Sequence, residues 1–265
     1  MMVVTGATGN VGRPLVEALI EAGEKVTAVS RRSVPRVDLT EPETLAPVLD
    51  GADALFLLTS GDFIAAGGDV GKVLDVVRAA GVRRVVMLSS QGVATGSHPS
   101  TLEDPLTGSD LNWTLLRPGG FHSNTFAWAE SVRTRREVAA PFGDVALPTI
   151  DPLDIAEVAA VTLRGDGHTG RAYVLTGPAP ITPRQQVAAI AAALGEPVRF
   201  VEQSREEAAA RMREFMPAPV VASTLDILGT PKPAEQQAGP AVEQLLGRAP
   251  HSFAAWAARN VAAFA

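Results

Sequence analysis

The fold of this chain is decided by its opening stretch, Met2-Val3-Val4-Thr5-Gly6-Ala7-Thr8-Gly9-Asn10-Val11-Gly12. The first four residues are apolar or β-branched, which is typical of a buried strand. Three glycines follow with the spacing G-x-x-G-x-x-G, and the apolar residues Val11, Leu15 and Leu19 then recur at helical intervals. A strand that passes through a glycine-rich turn into a helix is the start of a βαβ unit.

The glycine spacing in this turn predicts a binding site for a dinucleotide. Gly6 permits a tight turn, Gly9 lets backbone amides approach a diphosphate, and Gly12 lets the helix pack closely on the strand. The N–H groups and the positive end of the helix dipole would then meet the phosphates. The predicted cofactor-binding residues of this loop are Gly6, Ala7, Thr8, Gly9, Asn10, Val11 and Gly12. An ordinary glycine-rich turn is the alternative.

The end of the second predicted strand indicates which dinucleotide is bound. An NAD site usually carries an acidic residue about 20 residues after the glycines, to accept the ribose hydroxyls. Here the chain has Arg31 and Arg32, and no carboxylate until Asp38. Because a guanidinium offers a planar, permanent charge to phosphate oxygens, the pair favours NADP(H) over NAD(H). A solvated arginine pair at a strand end is the alternative.

The order of the predicted elements defines the fold class. Short β-branched runs alternate with helical patterns through the first two-thirds of the chain, which predicts a Rossmann-type doubly wound parallel sheet of the α/β class. We assign residues 1–150 to a dinucleotide-binding Rossmann domain, with further sheet contributions from about 151–180. Residues 181–265 are predicted to form a smaller, mostly helical cap for the substrate, with one helix over 205–215.

Composition limits the classes of partner and the compartment. The chain has 265 residues, a net charge of −6 and no cysteine. Without a basic cluster, neither a nucleic acid nor an anionic membrane is an expected partner, so a small molecule is the better candidate. No apolar run approaches the roughly 20 residues that span a bilayer, and we expect a cytoplasmic protein. Alanine-rich C-terminal helices leave a homodimer open beside packing within one chain.

Several segments of the sequence resemble the NmrA-like, atypical branch of the short-chain dehydrogenase/reductase superfamily. They are the glycine loop, Val37–Thr40, Leu57–Thr59, Leu88–Ser90, Leu116–Phe121 with Asn124, Ile150–Ala156, Leu175–Pro178 and Leu246–Pro250. The resemblance implies that Asp38 and Leu39 lie beside the adenine and Thr59 near the cofactor ribose, and we add Ser89, Ser90 and Pro118 to the cofactor site. It also implies a quinone or azo-dye reductase, or a redox-sensing regulator.

The usual catalytic pair of short-chain dehydrogenases is missing from this chain. That pair has the spacing Tyr-x-x-x-Lys, in which the lysine lowers the pKa of the phenol. The only tyrosine is Tyr173, and Gly177 stands four residues after it. A reductase with this sequence would take hydride from the cofactor and contribute orientation and desolvation, which suits a quinone or a similar planar conjugated acceptor. No spacing of histidines indicates a metal site.

Two segments supply candidate substrate and catalytic residues. Ser90 and Gln91 follow a central strand, where they would bond the nicotinamide or a substrate oxygen, or else cap a helix. His122 is a candidate proton donor, although a lone loop histidine is more often structural. Phe121, Asn124 and Trp128 are candidate substrate contacts, with core packing as the alternative for the aromatic rings.

Three classes of function follow from these residues. The first is an NADPH-dependent oxidoreductase that transfers hydride to a quinone or similar acceptor. The second is a non-catalytic regulator that senses NADP(H) through a change of conformation. The third is a cofactor-assisted isomerase or cyclase, because one fold hosts many chemistries.

Overall fold

The computed structural model describes residues 1–214 and 216–265 of the chain. It separates into two compact units. The first unit contains Met1–Pro118, Pro152–Leu175 and Ala241–Arg248, and the second contains Gly119–Asp151, Thr176–Pro240 and Ala249–Ala265. No helix in the described part of the chain is long and apolar enough to cross a membrane.

The first unit is built on a six-stranded, fully parallel sheet with the strand order β2-β1-β3-β4-β5-β7. Its strands are β1 (Met2–Thr5), β2 (Val26–Val29), β3 (Ala54–Leu58), β4 (Arg84–Leu88), β5 (Asn112–Pro118) and β7 (Arg171–Leu175). The predicted Rossmann-type sheet is confirmed. The chain reverses its direction across the sheet between β1 and β3, and open α/β sheets bind ligands at such a switch point.

Helices flank this sheet. They are α1 (Gly12–Glu21), α2 (Ala46–Leu49), α3 (Gly61–Ala65), α4 (Val70–Ala79), α5 (Gln91–Thr95), α6 (Asp104–Thr107), α8 (Pro152–Arg164) and α12 (Ala241–Leu246), with a 3₁₀ turn at Pro42–Leu45. Successive strand residues point to opposite faces, and in the central strands β1, β3 and β4 both faces are buried. Leu55 and Leu57 of β3 join the hydrophobic cluster that includes α4, while Phe56 between them is equally buried outside that cluster.

The second unit contains a two-stranded parallel sheet in addition to helices. β6 (Glu137–Pro141) pairs with β8 (Arg199–Gln203), and a 3₁₀ helix spans His122–Trp128. Its α-helices are α7 (Ala129–Arg135), α9 (Pro183–Leu194), α10 (Arg205–Met212), α11 (Ala218–Gly229) and α13 (Phe253–Arg259), with further 3₁₀ turns at Pro233–Glu235 and Val261–Ala263. The predicted helix 205–215 therefore stops at Met212, and its last predicted residue, Phe215, lies outside the described residues.

The boundaries of the two units differ from the division expected at residues 150 and 180. Residues 119–151, placed in the Rossmann domain by the sequence, belong to the second unit, and Ala241–Arg248 returns to the first. Arg248, at the end of this segment, binds it to α8. The guanidinium donates hydrogen bonds to Asp154 at 2.8 Å and to Glu157 at 2.5 Å. Asp154 is fully buried, so this ion pair fastens the segment to α8, which packs on the sheet.

The ion pair of Arg248 with Asp154 predicts a stability effect. Arg248→Ala should lower the free energy of unfolding by about 3 kcal/mol, because it removes a cation that is ion-paired with a buried carboxylate. Chemical denaturation at neutral pH measures the change. In an Asp154→Asn background the same substitution should have a much smaller effect, and equal losses in both backgrounds would contradict the role given to the buried charge.

Candidate functional site

The loop between β1 and α1 has the geometry of a phosphate cradle. Gly6 adopts a positive φ of 65°, which a side chain would strain. The N–H of Ala7 donates to the carbonyl of Val29, and the N–H of Gly9 donates to the carbonyl of Gly6 at 2.9 Å. A Cβ atom on Gly12 would lie 2.2 Å from the carbonyl oxygen of Gly6, so only glycine lets α1 begin this close to the loop.

Amide groups at the start of α1 remain available to an anion. Among the described residues, no hydrogen-bond acceptor meets the N–H groups of Val11 and Gly12. The first N–H groups of a helix have no partner within it, and the helix dipole adds positive potential there. The loop therefore offers the hydrogen-bond donors that a diphosphate requires.

A cavity of about 870 Å³ opens beside this loop at the carboxyl ends of β1, β2 and β3. A hydrogen bond from the amide of Leu58 to the hydroxyl of Thr5, at 2.8 Å, ties β1 to β3 at its edge. The cavity is lined by Thr5, Gly6, Thr8, Gly9, Asn10, Val29, Ser30, Arg31, Arg32, Arg36, Val37, Asp38, Leu39, Thr40, Leu58, Ser60, Asp62, Phe63 and Ala66.

Three arginines and two aspartates share the rim of this cavity. Arg31 Nη1 lies 2.7 Å from Asp62 Oδ2, and Arg36 Nη2 lies 2.7 Å from Asp38 Oδ2. Among the described residues, no carboxylate lies within ion-pair distance of the Arg32 guanidinium. Arg32 is therefore the guanidinium at the rim that is available to an added phosphate.

Asp38 is fixed by its own turn. Its Oδ1 atom accepts hydrogen bonds from the hydroxyl and the amide of Thr40, at 2.7 and 3.1 Å. The amide of Asp38 in turn donates to the hydroxyl of Thr44 at 2.9 Å. The hydrogen bond from the Thr40 hydroxyl, together with Arg36, lowers the pKa of the Asp38 carboxyl below its ordinary value. The carboxylate is thus charged and oriented at neutral pH.

The predicted cofactor residues separate into three groups. Those that line the cavity are Gly6, Thr8, Gly9, Asn10, Arg31, Arg32, Asp38 and Leu39. Ala7, Val11 and Gly12 do not line the cavity. Val11 and Gly12 directly follow Asn10, which does, so their amides stand at its border. Thr59, Ser89, Ser90 and Pro118 lie at or just beyond the ends of β3, β4 and β5 and do not line this cavity.

Sequence reasoning missed several residues of the rim, chiefly Arg36, Thr40, Ser60 and Asp62. Ser60 and Asp62 come directly after β3, so the rule that ligands bind at the carboxyl ends of parallel strands would have pointed to them. Arg36 gave no such signal. It comes back to the rim through the turns of residues 31–36, which a strand-and-helix pattern does not describe.

Ser89 belongs to a buried network within the first unit. Its hydroxyl donates to Glu103, which also accepts two hydrogen bonds from Arg117, at 3.0 Å from Nε and 2.5 Å from Nη2. Glu103 is 2% exposed. These hydrogen bonds raise the pKa of Arg117 above its ordinary value. Arg117 of the Arg-Pro-Gly segment therefore holds the ends of β4 and β5 together.

Ser90 is the N-cap of α5 and has a histidine partner that the sequence did not reveal. Its hydroxyl oxygen accepts from the amide of Gly92 and lies 3.1 Å from Nδ1 of His98. A Cβ atom on Gly92 would lie 2.5 Å from that nitrogen, so the glycine makes room for the imidazole. Gln91, the first residue of α5, is buried.

His122 lies in the interior of the second unit. It is 1% exposed, its Nδ1 lies 3.0 Å from the hydroxyl of Thr149, and its ring packs edge-on against Phe253. These are the surroundings of a structural histidine, and we do not assign it as the proton donor. Of the other predicted substrate contacts, Phe121 and Trp128 are partly buried in this unit and Asn124 is exposed.

Tyr173 lies away from the glycine loop. Its hydroxyl is 2.8 Å from Nδ1 of His168, which comes just before β7. In a parallel sheet this is the amino edge, opposite the carboxyl edge that carries the cavity. Burial and the nearby Arg84 lower the pKa of His168 below its ordinary value. The one tyrosine of the chain is therefore not placed to protonate a substrate beside the cofactor loop.

The sequence matches a family described as NAD(P)H-binding over residues 6–166. It is 34% identical to a (4-alkanoyl-5-oxo-2,5-dihydrofuran-3-yl)methyl phosphate reductase of Streptomyces griseus, over 100% of this chain and 99% of the relative. It is 30% identical to an NAD(P)H azoreductase of Xenophilus azovorans, over 100% and 99%.

A solved structure has the same fold: an NADPH-dependent quinone oxidoreductase of Escherichia coli, complexed with NADPH. Its TM-score is 0.82 at 23% identity, over 99% of each chain. With the family match and the two relatives, the glycine loop, the parallel sheet and its switch-point cavity lead to one assignment. The chain belongs to the NAD(P)H-binding family and is an NAD(P)H-dependent oxidoreductase.

Proposed function

We propose that the protein is an NADPH-dependent reductase that transfers hydride to a quinone or a similar planar conjugated small molecule. The observation that carries the proposal is the cavity at the β1/β3 switch point. It combines a diphosphate cradle with an arginine, Arg32, that no carboxylate among the described residues neutralises. A dinucleotide with an additional phosphate satisfies both features.

The relatives support the class of acceptor. Their names describe the reduction of an azo group, of a quinone and of an unsaturated oxo-furan. In each of these acceptors the double bond that gains hydride is conjugated or electron-poor. A stabilised anion results, so the enzyme needs no strongly tuned acid. This agrees with the absence of a Tyr-x-x-x-Lys pair from the sequence.

The residues of the first unit have distinct roles toward the cofactor. The amides of Val11 and Gly12 bind the diphosphate, and Arg32 binds the 2′-phosphate. Asp38 and Leu39 lie beside the adenine. When bound, the nicotinamide supplies the hydride. The protein holds the acceptor in line with it and excludes water, which is the larger part of catalysis at such a site.

The proton for the reduced acceptor comes through Ser90. After hydride addition the acceptor carries an oxyanion, to which the Ser90 hydroxyl donates its proton. Nδ1 of His98, 3.1 Å away, returns a proton to the serine oxygen. In the balanced overall reaction, one acceptor, one NADPH and one proton give the dihydro product and NADP⁺. The Ser90 and His98 pair thus replaces a Tyr-x-x-x-Lys pair.

Arg32 should determine the preference for NADPH. Arg32→Ala should weaken NADPH binding by about tenfold and leave NADH binding nearly unchanged, because a charge-assisted bond to the 2′-phosphate is lost. Titration calorimetry measures both affinities. Arg83→Ala is the matched control, since Arg83 is exposed and does not line the cavity. An equal loss for the two cofactors would contradict the assignment.

Acceptor-dependent oxidation of NADPH tests the reaction itself. The purified protein should consume NADPH, measured by its absorbance, when a benzoquinone, naphthoquinone or azo dye is added. The product should contain two more hydrogen atoms than the acceptor. Protein that binds NADPH but reduces no member of such a panel would refute the enzymatic proposal and leave a binding role.

Removal of the imidazole tests the proton route. His98→Gln should lower kcat by about tenfold and leave the affinity for NADPH unchanged, because only the return of the proton to Ser90 is affected. Steady-state kinetics and titration calorimetry measure the two quantities. His168→Gln, at the other edge of the sheet, is the control and should leave kcat unchanged. A His98→Gln variant with the wild-type kcat would show that the imidazole has a purely structural role.

A further inference from the structure

The ion pair between Arg31 and Asp62 lies on the rim of the dinucleotide cavity. Arg31 follows β2 and Asp62 follows β3, so the pair joins the two segments that border the cavity on either side of β1. The side chains are 52% and 73% exposed. Asp62 has no other ion pair or side-chain hydrogen bond among the described residues. It is therefore free to leave Arg31 when another anion arrives.

The other carboxylate of the rim does not share this freedom. Asp38 is bound by Arg36 and by two hydrogen bonds from Thr40, which fix both of its oxygens. Of the two ion pairs, the one that can exchange partners is consequently Arg31 with Asp62. An incoming phosphate carries up to two charges and would compete with this carboxylate for the same guanidinium.

The backbone beneath Asp62 is anchored, so such an exchange involves only side chains. Ser60 caps α3 by accepting the amide of Phe63 at 3.2 Å, and the Phe63 ring is buried. A Cβ atom on Gly68 would lie 2.4 Å from that ring, which shows how closely the following turn packs beneath it. A substitution at the exposed Asp62 therefore leaves the cavity wall in place.

We infer that Asp62 is a specificity-determining residue that weakens the preference for NADPH by competing with its 2′-phosphate for Arg31. NADH has hydroxyls at that position, so it leaves the ion pair intact. The Asp62 carboxylate thereby reduces the difference between the affinities for NADPH and NADH. Without it, the three arginines at the rim would make that difference larger. This inference rests on the proposed binding of NADPH at this cavity and names the residue that limits it.

Calorimetric titration of NADPH and NADH into four variants tests the inference. Asp62→Asn should tighten NADPH binding by about fivefold, the scale of an exposed ion pair, and change NADH binding by less than about twofold. In an Arg31→Ala background the same substitution should change NADPH binding by less than about twofold. Asp50→Asn is the control, because Asp50 is an exposed carboxylate that does not line the cavity.

Three results would overturn the inference. One is an unchanged ratio of the two affinities in Asp62→Asn, and another is a full gain that persists without Arg31. The third is a marked loss of NADH binding, which would make Asp62 an acceptor for the ribose hydroxyls. If wild-type protein prefers NADPH, and loses that preference in Arg32→Ala while Asp62→Asn has no effect, the inference fails and the proposed function stands. If NADPH does not bind at all, both fail.

Discussion

The close approach of α1 to the loop before it is the constraint on which the site depends. A Cβ atom at position 12 would lie 2.2 Å from the carbonyl oxygen of Gly6. Because Gly12 has none, α1 begins in direct contact with the turn that follows β1. Any larger residue would move the helix and with it the amides of Val11 and Gly12. The diphosphate cradle is thus a consequence of packing.

Charge is arranged around this cradle in two ways. Ion pairs with a buried carboxylate hold the framework together. The pair of Arg117 with Glu103 joins the ends of β4 and β5, and the pair of Arg248 with Asp154 binds the segment Ala241–Arg248 to α8. The exposed pair of Arg31 with Asp62 at the rim, in contrast, can exchange partners. Removing one partner of a buried pair is costly, whereas exposed pairs contribute little to stability. The buried ion pairs therefore support the cofactor site, and the exposed pair at the rim adjusts which cofactor the site binds.

Strong local patterns made most of the first unit predictable. Its central strands β1, β3 and β4 are apolar runs that are buried on both faces. The second unit gave weaker signals, since β6 ends in two alanines and a proline, and β8 begins with an arginine and ends in a glutamate and a glutamine. We predicted neither strand, and expected residues 181–265 to be mostly helical. Segments of this composition form strands because they pair with each other, which a local pattern does not reveal.

At the site, the sequence indicated residue types better than it indicated partners. The arginine pair was evident, but Asp62 neutralises one member and Arg36 joins from a turn. His122 was a reasonable candidate from its position, yet its ring is buried against Thr149 and Phe253. The contact of His98 with Ser90 was not predicted, because the two residues are eight positions apart and meet only through the turn at Gly92. Contacts across turns decide these roles.

Backbone hydrogen exchange, measured with and without NADPH, tests whether the amides at the start of α1 bind the cofactor. NADPH should slow exchange most at the amides of Val11 and Gly12, which have no hydrogen-bond acceptor among the described residues. The amides of Ala7 and Gly9, already bonded to the carbonyls of Val29 and Gly6, should change much less. Unaltered exchange at the start of α1 in protein saturated with NADPH would show that these amides do not bind the diphosphate.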